Sequence, residues 1–545
     1  MSLATLPNIP LSTSVLRRRD AVRPTTCADI AGAEYAAGVS VDHRKNYGLY
    51  LTPVDVADFI ASQIKSTGRT IRILDPAAGA GVLLCAAVEA LVSRSRAPPR
   101  IEIVAYEVDE ALAKVLGNVL ANLQTWAAER SVTVTVEIVR ADFILEHAAA
   151  LRSMGGFFPH LAAKDAFDAV IANPPYFKLN KADPRAQAAA AVVHGQPNIY
   201  GLFMAVSAAL LRDGGELVYI TPRSFASGPY FRLFRDHFFN CIRPELVHVF
   251  GSRRDAFGRD AVLQENVIIK GARQDGWPRQ HVSGLLTISS SQGLSDLSTS
   301  ERRVVRLDSV LDMKSKDKVL RLPVNSAQDE LMRLVDAWPG SLSAYGLKIS
   351  TGPVVPFRAT EFLDKAGDVT KSHAPLLWMN HVQAMQVSWP IGKRKPEYIK
   401  RVMASEPLLV PNRNYVLLRR FSAKEEERRL VAGPYLARTI DTPVIGLENH
   451  LNYVYRPDGA LTEDETFGLA ALFSSELLDM YFRTSNGNTQ VSATELRSMP
   501  LPPRSVIAAI GREARALQNS PAAIDRLVMR LAGVVHPVEK VSAIG

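Results

Sequence analysis

The chain is predicted to be α/β: an open, largely parallel sheet with helices between its strands occupies the first half, and a separate mixed α+β domain follows. Three observations carry this prediction. Short apolar runs recur between Ile71 and Ala172, each followed by a carboxylate, a glycine turn or paired prolines, as expected of strands buried on both faces. A polar, Gly/Ser-rich passage over residues 284–300 marks a boundary. From about Arg303 onward, short segments alternate with turn signals such as Ser350-Thr351-Gly352-Pro353 and Pro411-Asn412-Arg413-Asn414, without another strand-helix-strand rhythm. With 545 residues the chain should form two domains or more, and the expected division is an N-terminal arm over 1–40, a sheet domain over 41–290, a second domain over 291–505 and a helical tail over 506–545.

The elements follow in order. Ile71-Arg72-Ile73-Leu74 reads as a short strand closed by Asp75, and Pro76-Ala77-Ala78-Gly79-Ala80-Gly81 as a glycine turn before an alanine- and leucine-rich helix through Leu91. Glycine lets backbone approach a ligand, so a cofactor could bind at this junction. The turn lacks both the G-x-G-x-x-G spacing of a dinucleotide site and the Lys-Ser/Thr of a phosphate loop, which disfavours those ligands. The next strand, residues 101–106, ends in Glu107-Val108-Asp109; a carboxylate there suits a ribose diol, and an ordinary surface strand end is the alternative. A third strand, residues 132–139, precedes Ala141-Asp142-Phe143, a carboxylate and a ring able to grip an adenine.

The fourth run, Ala169-Val170-Ile171-Ala172, leads into Asn173-Pro174-Pro175-Tyr176. The tetrapeptide would sit at the carboxyl end of its strand, where open α/β sheets hold ligands. Two prolines fix φ and remove two donors, leaving rigid carbonyl acceptors. The Asn173 side-chain oxygen and the Pro174 carbonyl could each accept one proton of an exocyclic amino group, with Tyr176 offering a flat face to a planar ring. Taken alone, the string is equally compatible with a proline-rich turn closing a strand. Beyond it, an amphipathic helix near residues 230–239 and strands at 246–250 and 266–270 would complete the sheet.

In this order the segments resemble the S-adenosylmethionine-dependent methyltransferases, and within them the gamma-class adenine-N6 DNA methyltransferases. Lys45-Asn46-Tyr47-Gly48-Leu49-Tyr50-Leu51-Thr52-Pro53 resembles the family segment that covers the methionine moiety, and Asn198-Ile199-Tyr200-Gly201-Leu202-Phe203 the helix behind the catalytic loop. The resemblance implies a Rossmann-like catalytic domain joined to a C-terminal α+β target-recognition domain. It implies S-adenosylmethionine as cofactor, held by Tyr50, Thr52, Asp75, Ala77, Gly79, Gly81, Glu107, Val108, Asp142 and Phe143, with Asn173, Pro174 and Tyr176 as catalytic residues and no metal. Phe231 or Tyr230 would supply a second ring face to an everted adenine. Release-factor glutamine methyltransferases resemble the same core, so RNA or protein-glutamine methylation and a catalytically silent DNA-binding regulator remain as alternatives.

Several strings of the second half are similar to PstI/BsuBI-type modification methylases of restriction-modification systems: Ile349-Ser350-Thr351-Gly352-Pro353-Val354-Val355, Arg420-Phe421-Ser422-Ala423-Lys424-Glu425, Gly446-Leu447-Glu448-Asn449-His450-Leu451-Asn452-Tyr453, and Asn486-Gly487-Asn488-Thr489-Gln490-Val491-Ser492. Lys+Arg 64 against Asp+Glu 55 gives a net charge of +9, and residues 391–430 hold eleven basic against five acidic residues. Such a stretch fits a double-stranded DNA partner, with a solvated helix rich in i,i+4 ion pairs as the alternative. The DNA contacts expected are Phe231, Arg413, Arg419, Arg420, Lys424, Asn486, Asn488 and Gln490. Arg17-Arg18-Arg19 belongs to the arm, expected to be poorly ordered. The three cysteines, Cys27, Cys85 and Cys241, have neither zinc nor disulfide spacing, and no apolar run reaches the roughly 18 residues that span a bilayer. A cytoplasmic monomer is expected, beside a cognate endonuclease that shares its site without needing to bind it.

Overall fold

The computed structural model describes residues 22–153, 165–251, 265–274, 276–277, 284–422, 426–485, 490–517 and 520–533. The chain divides into two compact units, the first ending at Val324 and the second starting at Asn325.

In the first unit, α1 (Pro24–Gly38), α2 (Val41–Tyr47) and α3 (Val54–Ser62) lead to β1 (Thr70–Asp75). Alternation then sets in with α4 (Val82–Val92), β2 (Arg100–Tyr106), α5 (Glu110–Ala128), β3 (Thr133–Val139), α6 (Phe143–His147), β4 (Phe167–Ala172), α7 (Ile199–Leu210) and β5 (Leu211–Pro222). The unit closes with α8 (Arg232–Cys241), β6 (Ile242–Phe250), β7 (Asn266–Arg273), β8 (Leu285–Ser291) and β9 (Glu301–Arg306). All nine strands form one sheet in the order β3-β2-β1-β4-β5-β7-β6-β8-β9. The first five are parallel, and β7 runs antiparallel between β5 and β6.

Burial explains why the strands read as they do. Ile71, Ile73, Leu74, Ala169, Val170, Ile171 and Ala172 of the central strands are fully buried, because helices cover both sheet faces. At the edge, β3 alternates Thr-Val-Thr-Val-Glu with one face partly exposed, the pattern of a half-covered strand. Asp109 caps α5 by accepting from the Ala111 and Leu112 amides, and Asp142 caps α6 by accepting from Ile144 and Leu145.

Two expected boundaries move. Residues 24–38 of the supposed arm form α1, which packs on the sheet domain through buried Ala28 and Tyr35. It is tied down by Arg23, which bridges Asp58 at 2.7 Å and Glu89 at 2.6 Å, and by the Thr25 amide and hydroxyl donating to Glu89 at 2.7 and 2.8 Å. Arg17, Arg18 and Arg19 lie outside the described residues. The passage read as an inter-domain linker instead contributes β8, which pairs in parallel with β6 and extends the sheet to β9. Its serines look like linker composition but are structural: Ser289 and Ser291 are buried and hydrogen-bonded to His248 at 2.9 and 3.0 Å.

The second unit is mixed α+β. A four-stranded sheet orders Lys348–Thr351, Leu451–Tyr455, Tyr415–Arg419 and Ala432–Tyr435. A five-stranded sheet orders Leu363–Asp364, Tyr398–Lys400, His373–Leu377, Val444–Leu447 and Leu409–Pro411. The predicted tail belongs to this unit: helix Arg504–Ala514 crosses helix Glu463–Ser474 so closely that a Cβ on Gly468 would lie 2.0 Å from the Ile507 carbonyl oxygen, and one on Gly511 1.9 Å from that of Asp464. No described helix is long and apolar enough to cross a membrane.

Candidate active site

From β1 the chain moves outward to β2 and β3, whereas β4 leads the other way to β5, so the carboxyl ends of β1 and β4 flank a topological switch point. A cavity of about 240 Å³ opens there, walled by the turn after β1, the ends of β2 and β3, the loop after β4 and the segment entering α3. Eight of the ten cofactor candidates line it: Tyr50, Thr52, Ala77, Gly79, Glu107, Val108, Asp142 and Phe143. Asp75 and Gly81 do not.

Gly79 has φ +55° and a Cβ there would meet nothing within 4 Å, so its freedom serves the turn and leaves open space beside it. Gly81 has φ +87°, and its Cβ would lie 2.8 Å from Leu116 Cδ1; it is a packing glycine between α4 and α5. Asp75, 1 % exposed, accepts from the Ala77 amide at 3.0 Å through Oδ1, while its buried Oδ2 has no hydrogen-bond partner. Burial pushes its pKa up to about 7, with the Glu107 charge adding to the effect. Glu107 accepts from the Gly79 amide at 3.1 Å and the Asp109 amide at 2.8 Å, yet burial pushes it to about 7 as well. Two near-neutral carboxyls, one with an orphaned oxygen, leave this turn short of donors and of positive charge. Opposite, Phe143 stacks on Phe203 at 5.5 Å and meets Tyr106 edge-on at 5.2 Å.

The loop after β4 departs in part from its predicted arrangement. Asn173 and Pro175 line the cavity, and Pro174 and Tyr176 do not. Asn173 donates from Nδ2 to Thr52 Oγ1 at 3.0 Å and accepts the Tyr176 hydroxyl at 2.5 Å through Oδ1. That hydroxyl also approaches the Ile220 carbonyl at 3.1 Å. Tyr176 is buried and its pKa is pushed well up by desolvation; its ring lies near-parallel to Tyr50 at 6.0 Å and edge-on to Tyr200 at 6.1 Å. The ring is 7 % exposed and does not line the cavity. In this conformation Tyr176 aims the Asn173 carbonyl, a role that the flat-platform expectation did not include. Phe231 packs on Tyr200 at 5.2 Å and Phe234 at 6.0 Å, one ring further from Tyr176, and Tyr230 is 52 % exposed.

Other cavity residues were not singled out from the sequence. Asp109 accepts from the Tyr35 hydroxyl at 2.6 Å and from His43 Nε2 at 2.6 Å, joining α1, α2 and the N-terminus of α5 at the cavity rim. An Asp entering a helix is a readable cap, but Tyr35 and His43 lie on helices whose docking only the tertiary structure reveals. Gly48, at φ +62°, lets the segment before α3 press on the loop after β4: a Cβ there would stand 2.5 Å from Pro175 Cβ.

In the second unit the strings similar to PstI/BsuBI-type enzymes converge. Thr351 pairs with Asn452, Arg420 donates to the Asn449 carbonyl at 3.0 Å, and Phe421 bridges to Gln490. Phe421 also sets its ring edge-on to His450 at 5.0 Å, and His450 donates to the buried carboxylate of Glu448. The basic stretch does not form one charged surface. Arg413 donates to the Pro457 and Gly459 carbonyls at 3.3 and 2.9 Å, and Arg419 to that of Val382 at 2.7 Å. Arg428 pairs with Asp525, and Arg429 is 1 % exposed. These guanidiniums brace loops against each other. The described part of residues 424–429 contains no helix. Lys424, Asn486 and Asn488 lie outside the described residues.

Sheet order, switch-point cavity and mixed second unit together define a Rossmann-like S-adenosylmethionine-dependent methyltransferase fold with a C-terminal α+β domain. The Eco57I restriction-modification methylase family matches residues 124–257. Over 477 residues the chain is 33 % identical to the type II methyltransferase M.BsuBI of Bacillus subtilis, covering 86 % of this chain and 90 % of that protein. It is 32 % identical to M.PstI of Providencia stuartii over 500 residues, covering 90 % and 94 %. The chain belongs to this family of type II restriction-modification methyltransferases. A solved type IIG restriction endonuclease, BpuSI, aligns more loosely, with a TM-score of 0.43 at 14 % identity over 90 % of this chain and 63 % of that one.

Proposed function

We propose that the protein transfers a methyl group from S-adenosylmethionine to N6 of an adenine everted from double-stranded DNA at a specific sequence, protecting that DNA from a cognate nuclease. The observation that carries this reading is that Asn173 and Pro175 share one cavity with Gly79, Glu107 and Phe143, so the cofactor turn and the acceptor loop face a common space. The residues fit the cofactor. Glu107, on the cavity wall, is a carboxyl raised by burial with no cation beside it, a deficit that a cationic ligand in the cavity relieves, and Asp75 adds a second carboxyl behind the wall. Glu107 would accept the ribose hydroxyls, Val108 and Phe143 would flank the adenine ring, and Tyr50 and Thr52 would cover the methionine end. When bound, the cofactor supplies an electrophilic methyl carbon.

Adenine N6 is a poor nucleophile because its lone pair is delocalised into the ring, and within a duplex it is out of reach, so the base must leave the stack at a cost of a few kcal/mol. The Asn173 carboxamide oxygen has two lone pairs; one holds the Tyr176 hydroxyl and the other is left for an amino proton. The Pro174 carbonyl, just behind the cavity wall in this conformation, would accept the second proton once the base enters. These acceptors draw electron density along the N–H bonds and favour a pyramidal nitrogen with its lone pair toward the methyl group. Asn173 and Pro174 would hold the amino group in this orientation while it takes up the methyl group, and the nitrogen would then give up one proton to solvent. Alignment and fixed dipoles account for the rate. The second unit would read the sequence, with Gln490 and the loop before it among the contacts.

Incubation with methyl-labelled S-adenosylmethionine and duplex DNA, RNA or cellular protein separates the readings. Label is expected in DNA. Label confined to RNA or to protein glutamine would overturn the proposal in favour of those substrates, and DNA binding without transfer to any of them would indicate a silent regulator.

A further inference from the structure

We infer that residues 389–397 of the second unit form a preorganised clamp for the phosphate backbone of duplex DNA, contacting it through Lys393, Arg394 and Lys395. The inference rests on the DNA methyltransferase reading above. The loop displays three successive exposed cations at its tip, and its single acidic side chain, Glu397, is turned inward and only 5 % exposed. Glu397 accepts from the Ile391 and Gly392 amides, both at 3.0 Å, and from His381 Nε2 at 2.6 Å. On its other side His381 Nδ1 accepts the Trp378 amide at 2.8 Å. An imidazole that accepts at Nδ1 carries its proton on Nε2, so His381 is a neutral strut, in keeping with the lowering of its pKa by burial.

Indole groups complete the brace. Trp389 Nε1 donates to the Glu397 carbonyl at 3.0 Å and Trp378 Nε1 to that of Pro396 at 2.5 Å. The Leu376 amide donates to the Glu397 carbonyl at 2.9 Å, and Lys395 lies over the Trp378 ring at 4.3 Å. A buried carboxylate spent on backbone amides does not neutralise the tip; it fixes the loop from below while the like charges above repel one another. Holding cations together in a rigid loop lowers the ordering cost of binding a polyanion and leaves the repulsion to be relieved by it. Several other cations of the stretch are committed elsewhere: Arg413, Arg419 and Arg420 to carbonyls, Lys400 to Asp364 at 3.6 Å, and Arg428 to Asp525.

The test measures binding of the full chain to a duplex oligonucleotide by fluorescence anisotropy across a salt series. Each lost phosphate contact lowers the slope of log K against log salt by about 1, so K393Q/R394Q/K395Q should flatten it by about 3 and weaken binding at low salt by at least about tenfold. Its melting temperature and S-adenosylmethionine affinity should match the parent, and the charge-preserving K393R/R394K/K395R should keep the parental slope. If the parent binds duplex but the glutamine variant keeps the same slope, the loop assignment fails while the methyltransferase reading stands. If the parent binds RNA or an acidic protein in place of duplex DNA, the partner is wrong and the reading above falls with it.

Discussion

At the scale of single residues, the pair Asp75 and Glu107 links the cavity to pH. Both carboxyls are held near 7, above their ordinary values, chiefly by burial. A carboxyl whose folded pKa is raised contributes stability that is complete below its ordinary value and is lost as pH rises through the folded one. The ligand-free protein should therefore melt lower at pH 8 than at pH 5.5, and Asp75→Asn should shrink that difference. A cationic cofactor favours the ionised carboxyls, so its affinity, read by calorimetry, should rise between pH 6 and pH 8; Glu107→Gln should raise Kd and flatten the rise. An affinity independent of pH would remove Glu107 from the proposed cofactor site. The place of Glu107 and Phe143 on the cavity wall was legible because each follows a strand end in a short local string. The Asn173–Tyr176 hydrogen bond was not, since it depends on Tyr50, Tyr200 and Ile220 enclosing the ring.

At the scale of elements, the segment between α2 and α3 holds the loop after β4 from outside. Thr52 accepts from Asn173, and Gly48 presses on Pro175 at a distance that no side chain tolerates. Gly48→Ala combines an unfavourable positive φ with a clash on a proline ring that cannot swing aside. It should cost about 1 to 2 kcal/mol of stability, seen as a lower melting temperature, and slow methyl transfer by roughly tenfold or more through loop displacement. Unchanged kcat would mean that the segment does not position the loop. Elements with local signals were readable: apolar runs became β1 to β4. What hid α1 was distance, since its anchor Glu89 sits on α4. Charge counting misled for a related reason, because a sequence does not distinguish Arg413 or Arg429, folded inward, from Lys393 at a loop tip.

At the scale of the whole molecule, the chain is two compact units, one carrying the switch-point cavity and the other the converged strings similar to PstI/BsuBI-type enzymes. The division into a catalytic sheet and a mixed second half was visible as a change of rhythm, whereas its position was not, because buried serines of β8 mimic a linker. The central claim is that the loop after β4 presents an everted adenine by its amino group to the methyl donor. The most direct measurement is mass spectrometry of nucleosides from duplex DNA incubated with S-adenosylmethionine and either the parent or Asn173→Ala. The parent should produce 6-methyladenine, and the variant should bind cofactor normally while methylating at least about 100-fold more slowly, as for loss of one preorganised polar contact to the reacting group. A methylated cytosine in place of 6-methyladenine, or parental rates from Asn173→Ala, would contradict the claim.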